Sequence, residues 1–127
     1  MAALTCLDTH VVVLLAEGRT QTLSKAATRA LDQDTLRLSP MVKIELAFLY
    51  EIGRIKDSPA RYLDDVMHRL AIQWCTSDFE SVAEAAQTLS WTRDPFDRVI
   101  VAQAHVEGAR LLSKDETIRK NYRRAVW

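Results

Sequence analysis

Four acidic residues occur where a folded chain could bring their carboxylates together: Asp8, Glu45, Asp97 and Asp115. Asp8 follows a short β-prone segment at 5–7, and Asp115 follows another at 109–113. In parallel sheets, ligands collect at the edge formed by the carboxyl ends of the strands. Both aspartates are therefore expected at that edge.

Glu45 is the most informative single acid, because it falls inside a predicted helix. Positions three and four residues away share its helical face, and all four are apolar: Met41, Val42, Phe48 and Leu49. An ionised carboxylate on an apolar face is costly unless a partner compensates its charge. Glu45 is therefore predicted either to bind a cation or to reach water from the edge of that face.

Asp97 lies in an Asp-Pro-Phe-Asp segment with the composition of a helix start. Asp94 can act as the N-cap, Pro95 as the first helical residue and Asp97 as the third. Acids there stabilise a helix by about 0.5–1 kcal/mol, which explains both aspartates without any chemistry. The apolar stretch at 99–102 indicates a buried helix, which places Asp97 at the mouth of the core.

Convergence of these acids would suit phosphodiester hydrolysis. Four carboxylates packed together repel one another, and some would take up protons. A hard divalent cation removes the conflict, because Mg²⁺ and Mn²⁺ prefer oxygen ligands and commonly keep several waters. Such a metal can orient a water, lower its pKa and stabilise charge on a phosphate.

The segments that must position these acids alternate between strand and helix. Strands are predicted at 5–7, 36–38, 72–75, 109–113 and 125–127. Helices are predicted at 24–34, 40–52, 59–70, 78–90, 95–107 and 115–121. Ser77 begins a capping box with Glu80. The apolar run from Thr9 to Gly18 fits either a strand or a helix with Thr9 as N-cap. The alternation predicts an α/β domain with a mostly parallel sheet.

Length and composition predict one globular domain spanning 1–127. Of the 127 residues, 48% are hydrophobic and 27% are charged. No apolar run approaches the roughly 20 residues that span a bilayer. The N-terminus lacks the basic region of a signal peptide, so we expect a cytoplasmic protein. Cys6 and Cys75 form no CxxC pair and are expected to be buried, reduced thiols.

The charge of the chain is balanced overall but uneven along its length. There are 17 basic and 17 acidic residues, so net charge gives no indication of a nucleic-acid partner. Residues 108–127 contain six basic side chains and two acidic ones. With Arg98, these basic residues could hold a phosphate backbone. The three histidines show no metal-ligand spacing, although His10 is close to Asp8 in sequence.

Several motifs occur in the order seen in PIN domains. They are Leu-Asp-Thr at 7–9, Ser-Pro at 39–40 followed by Glu-Leu at 45–46, Arg-Asp-Pro-Phe-Asp-Arg at 93–98 with Ala-Gln-Ala at 102–104, and Leu-Ser-Lys-Asp at 112–115. The Asp-Pro-Phe-Asp-Arg segment with its Ala-Gln-Ala continuation is the most specific. Over nearly its whole length the chain resembles PIN domains, above all the VapC-type toxins of bacterial toxin–antitoxin pairs.

This resemblance implies a three-layer α/β domain in which a central five-stranded parallel sheet is flanked by helices. It also implies a homodimer with Mg²⁺-dependent endoribonuclease activity, with Mn²⁺ as a substitute. Asp8 and Asp97 would be the principal metal ligands. Glu45 would be a ligand or would position the attacking water, and Asp115 would complete the cluster directly or through water.

Other residues match the family less completely. Thr9 and Ser113 resemble the hydroxyl residues that lie beside the acids, and Asp94 resembles a capping residue. Val42 is a departure, because many relatives carry a hydroxyl three residues before the glutamate. Trp91 could stack on a base, although core or dimer-interface packing is the favoured interpretation.

The resemblance further implies an RNA substrate and a cognate antitoxin protein that neutralises the toxin. An antitoxin helix would dock near the first helices, around 11–15 and 26–31, and an antitoxin arginine could enter the acidic site. RNA recognition in such enzymes depends on RNA shape and on splayed bases.

Three other classes of protein share part of this pattern. A haloacid-dehalogenase-like phosphotransferase needs a second aspartate two residues after Asp8, where this chain has His10. A phosphoacceptor receiver domain needs paired N-terminal acids, and Lys114 alone does not make that case. A catalytically silent PIN-fold module that binds RNA or protein is the third, and the presence of all four acids argues against it.

Overall fold

A five-stranded parallel sheet forms the centre of the computed structural model, which describes residues 2–127. The strands are β1 (Leu4–Leu7), β2 (Thr35–Leu38), β3 (Gln73–Trp74), β4 (Arg110–Leu112) and β5 (Ala125–Val126). The helices are α1 (Thr9–Ala16), α2 (Lys25–Gln33), α3 (Met41–Glu51), α4 (Pro59–Arg69), α5 (Phe79–Ala86), α6 (Pro95–Val106) and α7 (Glu116–Asn121). The spatial order is β3-β2-β1-β4-β5, and each neighbouring pair is parallel.

The central strand is buried on both of its faces. Thr5, Cys6 and Leu7 are successive residues of β1 and are all buried, as are Leu111 and Leu112 of the neighbouring β4. Side chains alternate between the faces of a strand, so layers of helices must cover both faces. The predicted three-layer α/β architecture is thereby confirmed.

The apolar run after Asp8 is a helix. Asp8 caps α1, and its Oδ1 accepts a hydrogen bond from the Thr9 N–H at 2.8 Å. The interpretation of Thr9 as the N-cap is therefore wrong by one residue. The valine-rich composition favours a strand in isolation, but β propensity depends on context. Here the side chains of residues 11–15 are all buried by the helix packing into the core.

The start of α5 also differs from the prediction. Asp78 is the N-cap, with its carboxylate accepting from the Ser81 N–H at 3.0 Å. Ser77 instead donates to the Glu107 carboxylate, from its backbone at 3.2 Å and from its hydroxyl. Ser77 therefore links α5 to the end of α6, a long-range contact that the local capping pattern does not reveal. The helix ends at Ala86, earlier than the predicted boundary near residue 90.

Cys6 and Cys75 are both buried and are not joined by a disulfide, as expected, but they are neighbours in space. Their sulfur atoms lie 3.7 Å apart. The hydrogen bond with Cys75 and burial both raise the pKa of Cys6, so its thiol stays protonated. Within residues 2–127, no helix combines the length and apolar character that crossing a membrane requires.

Candidate active site

The four predicted acids line one open cavity of about 580 Å³ at the carboxyl edge of the sheet. Asp8 directly follows β1, and Asp115 closely follows β4. Glu45 lies in the second turn of α3, and Asp97 lies in the first turn of α6. The structure therefore brings together the acids that the sequence singled out, and Asp94 joins them in the wall of the cavity.

Asp8 is the most constrained of these acids. Its side chain is almost fully buried and is held through both oxygens. Oδ1 accepts from the Thr9 N–H, and Oδ2 accepts from the Ser113 hydroxyl at 2.7 Å. These two hydrogen bonds fix the orientation of the carboxyl group. Asp8 therefore presents its oxygens to the cavity in a fixed position.

Glu45 reaches the cavity from the apolar face of α3. Its Oε1 accepts a hydrogen bond from the Thr9 hydroxyl at 2.5 Å. Burial raises the pKa of Glu45 to about 7, the Thr9 hydrogen bond lowers it, and the charges of Asp8 and Asp94 raise it further. The carboxyl is thus poised between its charged and neutral forms near neutral pH.

The pKa of Asp97 is affected by every other acid that lines the cavity. Burial raises its pKa to about 7, with further contributions from the charges of Asp8, Asp94, Asp115 and Glu45. All of these causes act in the same direction. The carboxylates are therefore close enough to oppose ionisation of Asp97, which is the situation that a bound cation relieves.

Ser113 connects the two acids that follow strands. Its hydroxyl donates to Asp8 and accepts from the backbone N–H of Asp115 at 3.1 Å. Asp115 is also the N-cap of α7, because its Oδ1 accepts from the Ile118 N–H at 2.9 Å. One carboxylate oxygen of Asp115 is thus occupied by the cap, and the other is available to the cavity.

The donor set fits a hard divalent cation, although it does not form a closed cage. All the candidate ligands are carboxylate oxygens, which Mg²⁺ and Mn²⁺ prefer. Within residues 2–127, no three His, Cys, Asp or Glu side chains are close enough to enclose a metal by themselves. Mg²⁺ commonly binds through one or two carboxylates and keeps several waters. An open cavity with converging acids meets that requirement.

His10 also lines the cavity, a role that the sequence left open. Its Nε2 accepts from the Lys114 backbone N–H at 2.9 Å, which places the ring proton of the neutral imidazole on Nδ1. Nδ1 lies 3.4 Å from Asp8 Oδ2. His10 therefore ties the loop that carries Asp115 to the first helix.

The cations around the cavity differ from those that the sequence suggested. Arg19, Arg54 and Lys114 line it. Of the expected cations, Arg98 donates to the Thr92 carbonyl at 2.8 Å, and Arg110 pairs with Asp34. Arg124 likewise donates to the Gly108 carbonyl. Among the basic side chains of the described segment 108–127, only Lys114 belongs to the cavity wall.

A family model and a solved structure both match this chain. The model of the PIN domain matches residues 5–124. This chain belongs to the PIN domain family. Its fold is similar to the crystal structure of VapBC2 from Rickettsia felis bound to a DNA fragment from their promoter. That match has a TM-score of 0.69 at 18% identity and covers 97% of this chain and 96% of the other. Among curated proteins, none matches by sequence.

Proposed function

We propose that this PIN domain is a Mg²⁺-dependent endoribonuclease that acts as the VapC-type toxin of a toxin–antitoxin pair in the cytoplasm. The observation that carries the proposal is the convergence of Asp8, Glu45, Asp97 and Asp115 on one cavity. Burial, together with the charges of the neighbouring acids, raises the pKa of Asp97 to about 7, which is typical of a site that receives positive charge. Membership of the PIN family supports the same function.

Each acid has a distinct part in the proposed reaction. Asp8, fixed by Ser113, and Asp97, at the start of α6, would hold the ion. A bound Mg²⁺ lowers the pKa of a water and stabilises charge on the phosphate. Glu45, oriented by Thr9, would complete the ion's shell or orient the attacking water. Asp115 would contribute its uncapped oxygen, directly or through a water.

Cleavage of a mixed RNA pool by the purified protein tests the proposal. We expect cleavage with Mg²⁺ or Mn²⁺, none with EDTA, and a loss of at least about a hundredfold in the Asp97→Asn variant. Asp32→Asn is the matched control, because Asp32 is an exposed aspartate of α2 outside the cavity. Cleavage that persists in EDTA or in Asp97→Asn would rule out the metal mechanism.

A silent binding module remains the competing function, and a metal titration separates it from a selective enzyme. If no RNA is cut, Mn²⁺ is titrated into the wild type and Asp97→Asn by calorimetry. Binding that the substitution weakens supports an enzyme with a narrow choice of RNA. Equal or absent binding in both proteins supports the silent module.

The proposed antitoxin partner is supported by the similarity in fold to VapBC2. Among the described residues, the acidic cavity is the feature that an antitoxin arginine would recognise. The expected docking surface needs revision, since the apolar side chains at 11–15 are buried, and of these only Val13 and Leu14 line the cavity. Docking near the first helices would depend on the exposed side chains of α2.

We also propose that the single PIN domain, spanning 1–127, forms a homodimer. Three apolar side chains along α3 and its C-cap are spaced four residues apart and are about half exposed: Ile44, Phe48 and Ile52. Residues at this spacing share one face of a helix. Phe48 also packs on Phe96, with ring centroids 5.5 Å apart, so the apolar face continues onto α6. A contiguous apolar patch of this kind is typical of an interaction surface.

A further inference from the structure

Beyond the acids, the cavity continues as a groove between α1 and α3. Two arginines, Arg19 and Arg54, lie at the end of the groove away from the acids. Its middle is lined by Val13 and Leu14 from α1, Leu49 from α3, and Ile55. Arg19 and Arg54 line it beyond the ends of those two helices. The groove therefore passes from an anionic end, through an apolar strip, to a cationic end.

The two arginines are placed by the same helix ending, used twice. The sequence reads Leu-Leu-Ala-Glu-Gly-Arg at 14–19 and Leu-Tyr-Glu-Ile-Gly-Arg at 49–54. In both, the glycine takes a left-handed conformation, with φ of 71° at Gly18 and 78° at Gly53. The arginine N–H then donates back to the leucine carbonyl, at 2.9 Å for Arg19 and 2.8 Å for Arg54.

This pattern is a Schellman ending, in which the second residue past the helix bonds back across the last turn. Each glycine supplies the second bond of the motif, Gly18 to the Leu15 carbonyl and Gly53 to the Tyr50 carbonyl. The motif fixes the backbone of the residue after the glycine. Both arginines therefore start from rigid positions at the end of the groove.

The guanidinium groups of Arg19 and Arg54 are available to bind an anionic ligand. Arg19 pairs with Glu17 at 2.7 Å, and Glu17 also accepts from the Tyr62 hydroxyl at 2.6 Å. The Arg19 side chain remains about half exposed, and a pair at that exposure adds little stability. Within residues 2–127, the Arg54 side chain has no ion pair or hydrogen bond.

We propose that this groove binds the RNA segment next to the cleavage point, with a phosphate at the far end of that segment held by Arg19 and Arg54. The proposal rests on the ribonuclease function proposed above. Helix α1 has eight residues and is therefore about 12 Å long. The arginines thus lie about one helix length from the acids, which is farther than the spacing between neighbouring phosphates of a strand. They would hold a phosphate beyond the one that follows the cut. The intervening nucleosides would lie against the apolar strip of Val13, Leu14 and Leu49.

The charge distribution explains why such a contact is required. An RNA backbone approaching four acids is repelled, and a metal at the acids offsets that repulsion only locally. The net charge of the chain is zero, so no general attraction draws RNA to the surface. Cations fixed at the end of the groove would supply the attraction and set the register of the strand.

Binding of RNA by a cleavage-deficient protein tests the groove. The background is Asp97→Asn, the probe is a fluorescein-labelled pool of random 20-nucleotide RNA, and anisotropy is measured with Mg²⁺ over a range of KCl. Adding Arg19→Gln and Arg54→Gln together should weaken binding about tenfold at low salt. The slope of log K against log salt should fall by about 0.7 for each phosphate that the protein no longer neutralises.

Two matched arginines provide the control. Arg61→Gln removes an exposed arginine that has a surface ion pair with Asp57, as Arg19 has with Glu17. Arg29→Gln removes an exposed arginine of α2. Neither lines the cavity. This control pair should leave both the affinity and the salt slope unchanged. Arg19→Lys with Arg54→Lys should retain most of the slope, because charge is kept.

The outcomes separate this inference from the proposed function. If RNA binds equally well with and without the two arginines, the groove proposal is wrong, while metal-dependent cleavage by the wild type still stands. If the random pool does not bind to the Asp97→Asn protein at all, the groove proposal is also wrong.

Discussion

The carboxyl groups of the cavity oppose one another in the metal-free protein, and Asp97 shows this most clearly. Its pKa is raised from 3.8 to about 7, first by burial and then by four neighbouring acids. Between these two values, folded Asp97 binds a proton that the unfolded chain has released. The free energy of unfolding therefore falls as pH rises through this window.

Replacing Asp97 with asparagine should remove this penalty. We expect metal-free Asp97→Asn to be more stable than the wild type at pH 8 by about 1 kcal/mol, a value reduced because solvent reaches the partly buried side chain and screens its charge. For a chain of this size that corresponds to about 3 °C in melting temperature. The difference should shrink towards pH 5, where folded Asp97 is protonated in the wild type.

Thermal melting in EDTA at pH 5, 6.5 and 8 measures the effect. Asp32→Asn removes an exposed carboxylate from α2 and should show no such pH-dependent gain. If Asp97→Asn were less stable than the wild type at pH 8, the cavity would not hold opposed charges. The argument for a cation site would then lose its electrostatic basis.

At the residue scale, the sequence revealed the acids better than the cations. The acids were recognisable because Asp8 and Asp115 follow strands and because Glu45 interrupts an apolar helical face. The groove arginines were missed, since each lies in a short ending that contains no motif associated with catalysis. The repeated Leu-x-x-x-Gly-Arg pattern was visible, but its meaning depends on α1 and α3 lying side by side.

At the scale of the elements, the N-termini of three helices, α1, α6 and α7, lie at the carboxyl edge of the sheet and position acids there. Asp8 caps α1, Asp94 caps α6, and Asp115 caps α7. The positive end of a helix dipole stabilises a nearby carboxylate. The cavity thus combines acids that repel one another with helix ends that partly compensate them.

Two substitutions of Asp115 can distinguish its role as the N-cap of α7 from its proposed role in metal binding. Asparagine caps a helix about as well as aspartate, so Asp115→Asn should melt within about 1 °C of the wild type. Alanine cannot cap, so Asp115→Ala should lose about 1 kcal/mol, or about 3 °C. Both variants should bind Mn²⁺ at least about tenfold more weakly, because both lack the carboxylate charge.

Melting curves in EDTA and calorimetric titration with Mn²⁺ distinguish the two roles. Asp78→Asn and Asp78→Ala are the matched controls, because Asp78 caps α5 away from the cavity. They should reproduce the stability pattern without any change in metal affinity. Unchanged Mn²⁺ binding in Asp115→Asn would limit Asp115 to its structural role.

At the element scale, the alternation of strands and helices was predictable, while the details of caps were not. Proline after serine located α4, and the strand segments were short but correctly ordered. Thr9 and Ser77 were both predicted as caps, and both instead contact distant elements, Glu45 on α3 and Glu107 after α6. A local sequence pattern cannot reveal a hydrogen bond that forms only when distant elements pack together.

Within residues 2–127, an apolar face of α3 is exposed to solvent, and it bears on how two chains could assemble. Ile44, Phe48 and the C-cap residue Ile52 form a stripe along α3, and each is about half exposed. A polar solvent-facing helix would be expected to place charged or polar side chains there. The stripe also lies on the same helix as Glu45, so a second subunit bound here would support the α3 side of the cavity.

Ile44→Arg should weaken a dimer built on this face. A charged side chain at the centre of an apolar contact leaves an unpaired buried charge, so we expect the dimer dissociation constant to rise at least about tenfold, or about 1.4 kcal/mol. Light scattering after size-exclusion chromatography, over a range of protein concentrations, measures it. Phe79→Arg is the control, because Phe79 is the most exposed large apolar residue and lies on α5.

The proposed dimer would also affect the cavity in a way that a monomer would not. Packing a partner against Phe48 would restrain Phe96, which directly precedes Asp97. Ile44→Arg should therefore weaken Mn²⁺ binding as the protein is diluted and the dimer dissociates, while the wild type keeps its affinity at the same concentrations. A wild-type protein that is monomeric at about 100 µM would contradict the dimer, and equal Mn²⁺ affinity in monomer and dimer would show that the acids are organised within one chain.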